Sequence, residues 1–308
     1  MGLEESIKIY LDYCKVQNNL SDKTIRAYRI DLNQFSCFME GKNYLEKDKI
    51  EAYIYYIRSG EYKVKSIKRK IASLKAFYNF LSYKEYIEFN PFHKIKVKVK
   101  DPFSLPKIIP TSELNKLFAA IDDKLNETDK SKYVYKELIR DRAILELLLA
   151  TGIRISELCS LKKSDIMYSN NMIRILGKGS KERFVPIYHS RLISDLIYYE
   201  DLYSDRLNNF AYLFINKRNK KISSQSVTNM IKKYCHLANI DINITPHMFR
   251  HTFATMLLDQ DVDSRQIQIL LGHASIVTTQ IYTNITSKKK KDIMKYKNPL
   301  SKIITIDN

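Results

Sequence analysis

Positions 93 to 109 set the strongest limit on how this chain folds. The stretch holds Pro102 and Pro106 and alternating bases at Lys94, Lys96, Lys98 and Lys100, and Asn90-Pro91 stands just ahead of it. Proline fixes φ and removes a donor, and the residue before it is disfavoured in the helical region. Asn90-Pro91 is therefore expected to end the last helix of one domain, with residues 93–109 running as an extended basic linker to the next. The expected division of the 308-residue chain is a helical domain over 1–92, the linker, a second domain over 110–287 and a basic tail over 288–308.

Both flanks carry helical periodicity. Leu20-Ser21-Asp22 offers a capping start, and Ile25, Tyr28, Leu32 and Phe35 follow at helical spacing. A later stripe runs through Ile67, Ile71, Leu74, Tyr78 and Leu81, with Lys63, Lys65, Lys68, Arg69, Lys70 and Lys75 around it. Together with Lys96 and Lys98 of the linker, Lys63, Lys68, Arg69 and Lys70 are candidate contacts to a phosphate backbone, since bound cations release its counterions. A solvated helix face or an exposed linker carries the same residues. From Thr111 the pattern is helical again with one exception. Met172–Leu176 and Glu182–Ile187 read as short strands around Gly177-Lys178-Gly179-Ser180-Lys181, a tight hairpin loop. The expected fold class is mainly α with a small β-hairpin or sheet.

Composition narrows the partners. Lys plus Arg number 52 against 34 Asp plus Glu, a net charge of +18 that favours a polyanion, nucleic acid before an anionic membrane surface. Heavy use of Lys, Ile, Asn and Tyr is also what an AT-rich genome produces, so charge alone does not decide. The longest apolar run, Ala143 to Ala150, is broken by Glu146 and fits a buried helix, not a membrane span. The opening residues, with Glu4 and Glu5, lack a signal pattern, which points to the cytoplasm. Cys14, Cys37, Cys159 and Cys235 lie too far apart for a zinc knuckle or redox motif.

The second domain holds the unusual polar residues. Arg154 follows Thr151-Gly152-Ile153 where one helix ends and another starts, with Glu157 three residues on to orient it. Thr245-Pro246 reads as a cap and a first helical residue, which puts His247 and Arg250 on one face near a helix N-terminus, a ready anion site. His247 and His251 have helical zinc spacing, but Met248 stands where that motif needs glutamate, and no third ligand is evident. The glycines around Lys178 sit between strands and lack the spacing of a nucleotide-binding loop; a lysine at a hairpin tip still suits a phosphate or a leaving oxygen. Tyr282 is one of 22 tyrosines, and its weight comes only from following Leu271-Gly272-His273 and Gln280-Ile281.

In this order the segments resemble the tyrosine recombinases, or phage-type integrases. The matching pieces are Thr151 to Glu157, the lysine hairpin, His247 to Ala254, Leu271 to His273, and Gln280 to Tyr282. The family's sequence of Arg, Lys, His-x-x-Arg, His or Trp, and Tyr is filled by Arg154, Lys178, His247, Arg250, His273 and Tyr282, with Glu157 where an acidic residue is common. Leu20-Ser21, Thr24, Tyr28, Asp31-Leu32, Phe35 and the helix from Ile67 resemble the family's helical core-binding domain, so the likeness spans nearly the whole chain. It implies an Xer-like two-domain member with a mixed α/β catalytic domain. Tyr282 is then the nucleophile that forms a 3′-phosphotyrosine, the two arginines clamp the phosphate, His247 and His273 donate or move protons, and Lys178 protonates the leaving 5′ oxygen. The implied partners are double-stranded DNA with a specific core site and a homotetramer, or a heterotetramer with a related recombinase, on two duplexes. No metal or cofactor is implied. The tail, with Lys288 to Lys291, Ile293, Met294 and Leu300, is expected to dock on a neighbouring protomer. Two-domain size leans toward Xer-type resolution or a compact element-borne integrase. The rivals are a type IB topoisomerase-like enzyme and a DNA-binding regulator with a dead site.

Overall fold

The structure, a computed structural model, describes residues 2–99, 107–177, 182–207, 210–272 and 292–303. Met1–Ser104 and Leu105–Asn308 form two compact units, each with its own apolar core.

The described residues of the first unit pack as four α-helices, α1 (Leu3–Val16), α2 (Asp22–Phe38), α3 (Lys47–Ser59) and α4 (Val64–Tyr83). Helix α2 starts at the expected cap, where the Ser21 hydroxyl accepts the Thr24 N–H at 3.3 Å. Leu32 and Phe35 of α2 are buried, as are Leu74, Phe77, Tyr78 and Leu81 of α4. A carboxylate joins the two helices from inside. Asp31, 1% exposed, accepts from Ser73 Oγ at 2.9 Å, from Lys70 Nζ at 3.3 Å and from Arg69 Nη1.

That clasp corrects one expectation. Lys70 is buried, bonded to Asp31 and Gln34, and is spent on holding α2 to α4 instead of facing a phosphate. Arg69 is drawn to the same carboxylate and to the Ala27 carbonyl, although its side chain stays 42% exposed. Lys63, Lys96 and Lys98 are exposed and Lys68 is half-buried. A second correction concerns the helix end. α4 stops at Tyr83, with Glu85 in the left-handed region (φ 58°), whereas Asn90-Pro91 opens a short 3-10 turn in which Asn90 Oδ1 accepts the Phe92 N–H at 2.9 Å. Beyond it, Ile95, Val97 and Val99 pack on the first core while Lys96 and Lys98 face outward. Period-two alternation thus lays the start of the expected linker along its own unit.

The second unit is built around α6 (Tyr133–Thr151), buried from Leu138 to Thr151 as the apolar run predicts. Glu146, which interrupts that run, is fully buried and lies 2.9 Å from Arg142 Nη1. Around α6 lie α5 (Thr111–Glu127), α7 (Ile155–Ser160), α8 (Ser190–Leu202), α9 (Ser204–Leu207), α10 (Ser224–Leu237), α11 (Pro246–Leu258) and α12 (Ser264–Leu271). Ile109, at the end of the expected linker, already belongs to this core and donates its N–H to Thr252 Oγ1 at 2.8 Å. The antiparallel sheet has the order β1 (Ile166–Met167), β2 (Met172–Leu176) and β3 (Glu182–Pro186), with Leu176 opposite Glu182. The two-residue β1 gave no sequence pattern to read. Among the described residues no helix is long and apolar enough to cross a membrane.

The described part of the tail has a core of its own to fill. Residues 292–303 pack on their own unit, with Met294, Leu300 and Ile303 buried in its core and the Pro299–Lys302 turn against α6 and α11. Asn298, 2% exposed, donates to the Ala150 carbonyl at 3.1 Å, one of the acceptors a helix C-terminus leaves over. The apolar side chains of this stretch thus fill a core of their own unit. Asn298→Ala should cost about 1–3 kcal/mol by stranding that carbonyl. Thermal unfolding of the full chain measures it, and an unchanged midpoint would contradict this account of the tail.

Candidate active site

The site begins with a turn that only glycine fits. α6 ends at Thr151, and Gly152 adopts φ 58° as its cap. A Cβ there would lie 2.6 Å from Phe253 Cδ1 of α11 and 2.8 Å from Leu271 Cδ2 of α12. The absent side chain lets the end of α6 approach the middle of α11 and the end of α12. Two residues on, Arg154 caps α7, and Glu157 Oε2 accepts its backbone N–H at 2.8 Å while Oε1 meets its guanidinium at 2.9 Å. The Arg-x-x-Glu spacing thus works as a cap and an ion pair together.

Glu157 has a second cation. Arg183 of β3 grips it with two parallel bonds, Nη1 to Oε1 and Nη2 to Oε2, both 2.8 Å. Burial alone would raise the Glu157 carboxyl, but these donors and the Arg154 N–H overturn that and hold it below the usual carboxylate range. The folded value lies below the unfolded one, so the ionised group contributes stability above about pH 4.5 and loses it as pH falls through the folded value. The stability gap between wild type and Glu157→Gln should therefore shrink in acid. Melting both proteins from neutral pH to about pH 3 tests this; a gap that stays constant would contradict it.

Arg250 comes from α11, which opens with Thr245 at the cap position and Pro246 in its first turn. Its guanidinium donates to the Gly152 carbonyl at 2.8 Å and the Leu271 carbonyl at 2.7 Å, and the residue is 8% exposed. Burial first, and then the charges of Arg154 and Arg183, pull its pKa down to about 10 against the pull of Glu157. His247, one turn earlier, is exposed. Arg154, Glu157 and Arg250 are thus joined by direct bonds or through Gly152, with His247 on the same helix as Arg250. Lys178, His273 and Tyr282 lie outside the described residues.

Residues 108–289 match the family model described as the phage integrase family, and residues 7–85 match the phage integrase N-terminal SAM-like domain. The chain belongs to the phage integrase family. It is a tyrosine recombinase, an enzyme that breaks and rejoins DNA strands. A protein named tyrosine recombinase from Agathobacter rectalis is 46% identical over 300 residues, covering 97% of each chain. Tyrosine recombinase XerC of Staphylococcus aureus is 35% identical over 299 residues, covering 95% of this chain and 96% of its own. The fold is that of XerH bound to palindromic difH substrate, with a TM-score of 0.69 at 22% identity over 91% of this chain and 82% of that one. It is also that of a lambda integrase tetramer on a Holliday junction, with a TM-score of 0.63 at 18% identity over 91% and 80%.

One residue bonded into this cluster escaped the sequence reading. Arg183 sits opposite Ile175 in the hairpin, and the neighbouring pair on the same face is Ile173 with Val185, both fully buried. In a strand, residues two apart share a face, so Arg183 is a charge on the inward register. That misplacement was the signal available in the sequence.

Proposed function

We propose that this recombinase is site-specific and of the Xer type, and that it cleaves and rejoins DNA through a 3′-phosphotyrosine on Tyr282. The observation that carries the reading is the guanidinium cluster of Arg154 and Arg250, held in place by Glu157 and by the carbonyls of Gly152 and Leu271. A phosphodiester resists attack because its charge repels nucleophiles and its alkoxide leaves poorly. Prearranged guanidinium groups answer the first difficulty, since they neutralise the nonbridging oxygens as charge builds in the transition state.

The remaining roles follow the sequence resemblance. Tyr282 attacks phosphorus and releases a free 5′ hydroxyl, and Lys178 supplies the proton to the departing oxygen. His247 and His273 donate to the phosphate or carry a proton near neutral pH. The phosphoester is exchanged, not hydrolysed, so rejoining needs no ATP. A 5′ hydroxyl from another duplex attacks the same linkage, and that step makes the reaction recombination. The partners are double-stranded DNA with a specific core site and three further recombinase protomers, identical or related, on two duplexes. Lys63, Lys68, Lys96 and Lys98 remain candidate backbone contacts, and Arg69 becomes one only where its Asp31 pairing leaves it room. The XerC relatives matched nearly end to end favour the Xer reading, whether for chromosome resolution or for a mobile element.

Duplexes selected for binding from a randomised pool, paired and labelled at different ends, test the function. Joint molecules carrying strands of both duplexes are expected. Relaxation of supercoiled DNA bearing the same site, without joint molecules, would overturn it in favour of a nicking and resealing enzyme.

A further inference from the structure

Arg183 lies where three parts of the site meet. It stands on β3, directly after the residues that join the hairpin strands and include Lys178. Its guanidinium fork takes both oxygens of Glu157, which in turn holds the backbone and the side chain of Arg154. Its other flank lies against Gly272, the residue before His273. Gly272 has φ 66°, and a Cβ there would be 2.7 Å from Arg183 Cδ and 2.9 Å from its Nε. The Leu271-Gly272 turn is thus fixed from two sides, by Arg183 on the Gly272 face and by Arg250 through the Leu271 carbonyl. Only 15% of the Arg183 side chain is exposed.

We propose that Arg183 is a positioning residue for strand cleavage, acting through Glu157 on Arg154 and through Gly272 on the segment that leads into His273. The assignment rests on the recombinase reading above. Its physics is that of placement. A planar fork holds a carboxylate in one orientation, whereas a lysine ammonium is a point charge with no such geometry. Groups that must meet a phosphate within a few tenths of an ångström lose rate steeply when displaced, about 10²-fold for a shift near 1 Å. Arg183 also explains why an arginine is tolerated on the buried register of β3, where its charge is met by a buried carboxylate.

The test uses the full-length protein and a nicked duplex carrying a selected binding site, with covalent adduct formed in a single turnover as the readout. Arg183→Lys keeps the charge and most of the volume. It should slow adduct formation about 10–100-fold at saturating protein, while the DNA dissociation constant and the melting temperature stay near those of wild type. If Arg183 acts through Glu157, the double variant Arg183→Lys, Glu157→Gln should be little slower than the slower single variant. A wild-type rate in Arg183→Lys overturns the proposal, and so do losses that multiply in the double variant or a rate that falls only in step with binding or melting. Absence of adduct with the wild-type protein would instead overturn the recombinase reading itself, which separates the two failures.

Discussion

Arg250→Ala is expected to lower cleavage of a nicked core-site duplex about 10²–10³-fold, the usual loss when one preorganised donor to a developing oxyanion is removed. The reason lies in how the residue is held. Its guanidinium is buried between the Gly152 and Leu271 carbonyls, so its position is set before DNA arrives. Burial and the neighbouring guanidiniums depress its pKa to about 10, which makes an incoming phosphate a favourable neighbour for this cation. Arg250→Lys should lose nearly as much, because an ammonium cannot satisfy two carbonyls and a phosphate with one planar fork. DNA binding, spread over many phosphate contacts, should weaken by less than about tenfold. Single-turnover cleavage measured beside a binding isotherm separates the two effects. A near-normal cleavage rate in either variant would remove Arg250 from the site.

The largest expected effect on stability comes from a single methyl group. Gly152→Ala forces a side chain into the left-handed region, at about 1–2 kcal/mol. It also drives a Cβ to 2.6 Å from Phe253 and 2.8 Å from Leu271, and overpacking of that kind costs about 1–3 kcal/mol. A total of roughly 2–5 kcal/mol corresponds to a fall of roughly 5–15 °C in the melting temperature of a unit this size. Activity should fall further than the melting temperature implies, because the Gly152 carbonyl that would shift is the one that seats Arg250. Calorimetry and cleavage below the transition check both halves. An unperturbed variant would mean that the convergence of α6, α11 and α12 is looser than the packing requires.

The legible part of the fold was the part written in local pattern. The Ser21 cap, the α2 and α4 stripes, the buried run of α6, the paired strands β2 and β3 and the Thr245-Pro246 start all depend on residues a few positions apart, and each lies where the spacing puts it. What escaped depends on pairs distant in sequence. Lys70 resembled the lysines around it, and nothing near it in the chain announced that Asp31 of another helix would bury it. The end of α4 was assigned to proline, the stronger local signal, when the left-handed Glu85 had already broken the helix. Met294, Leu300 and Ile303 seat residues 292–303 on the core of their own unit, a placement that no spacing within the tail announces.

The site divides the same way. Arg154, Glu157 and Arg250 were picked by their place in ordered motifs, and the structure adds how they are joined. Their link through Gly152 and Leu271 is a backbone matter that side-chain motifs do not show. Arg183 was overlooked because Lys181-Glu182-Arg183 reads as an ordinary charged strand edge unless the alternation is followed to Val185.

The central claim is a covalent bond between Tyr282 and DNA. A duplex carrying a selected binding site and a nick that lets the 5′-hydroxyl fragment escape should trap the wild-type protein as an adduct that survives denaturation. Tyr282→Phe should bind the same duplex with unchanged affinity and form no adduct. Adduct formation by Tyr282→Phe, or its absence from wild type on a duplex it demonstrably binds, would contradict the account.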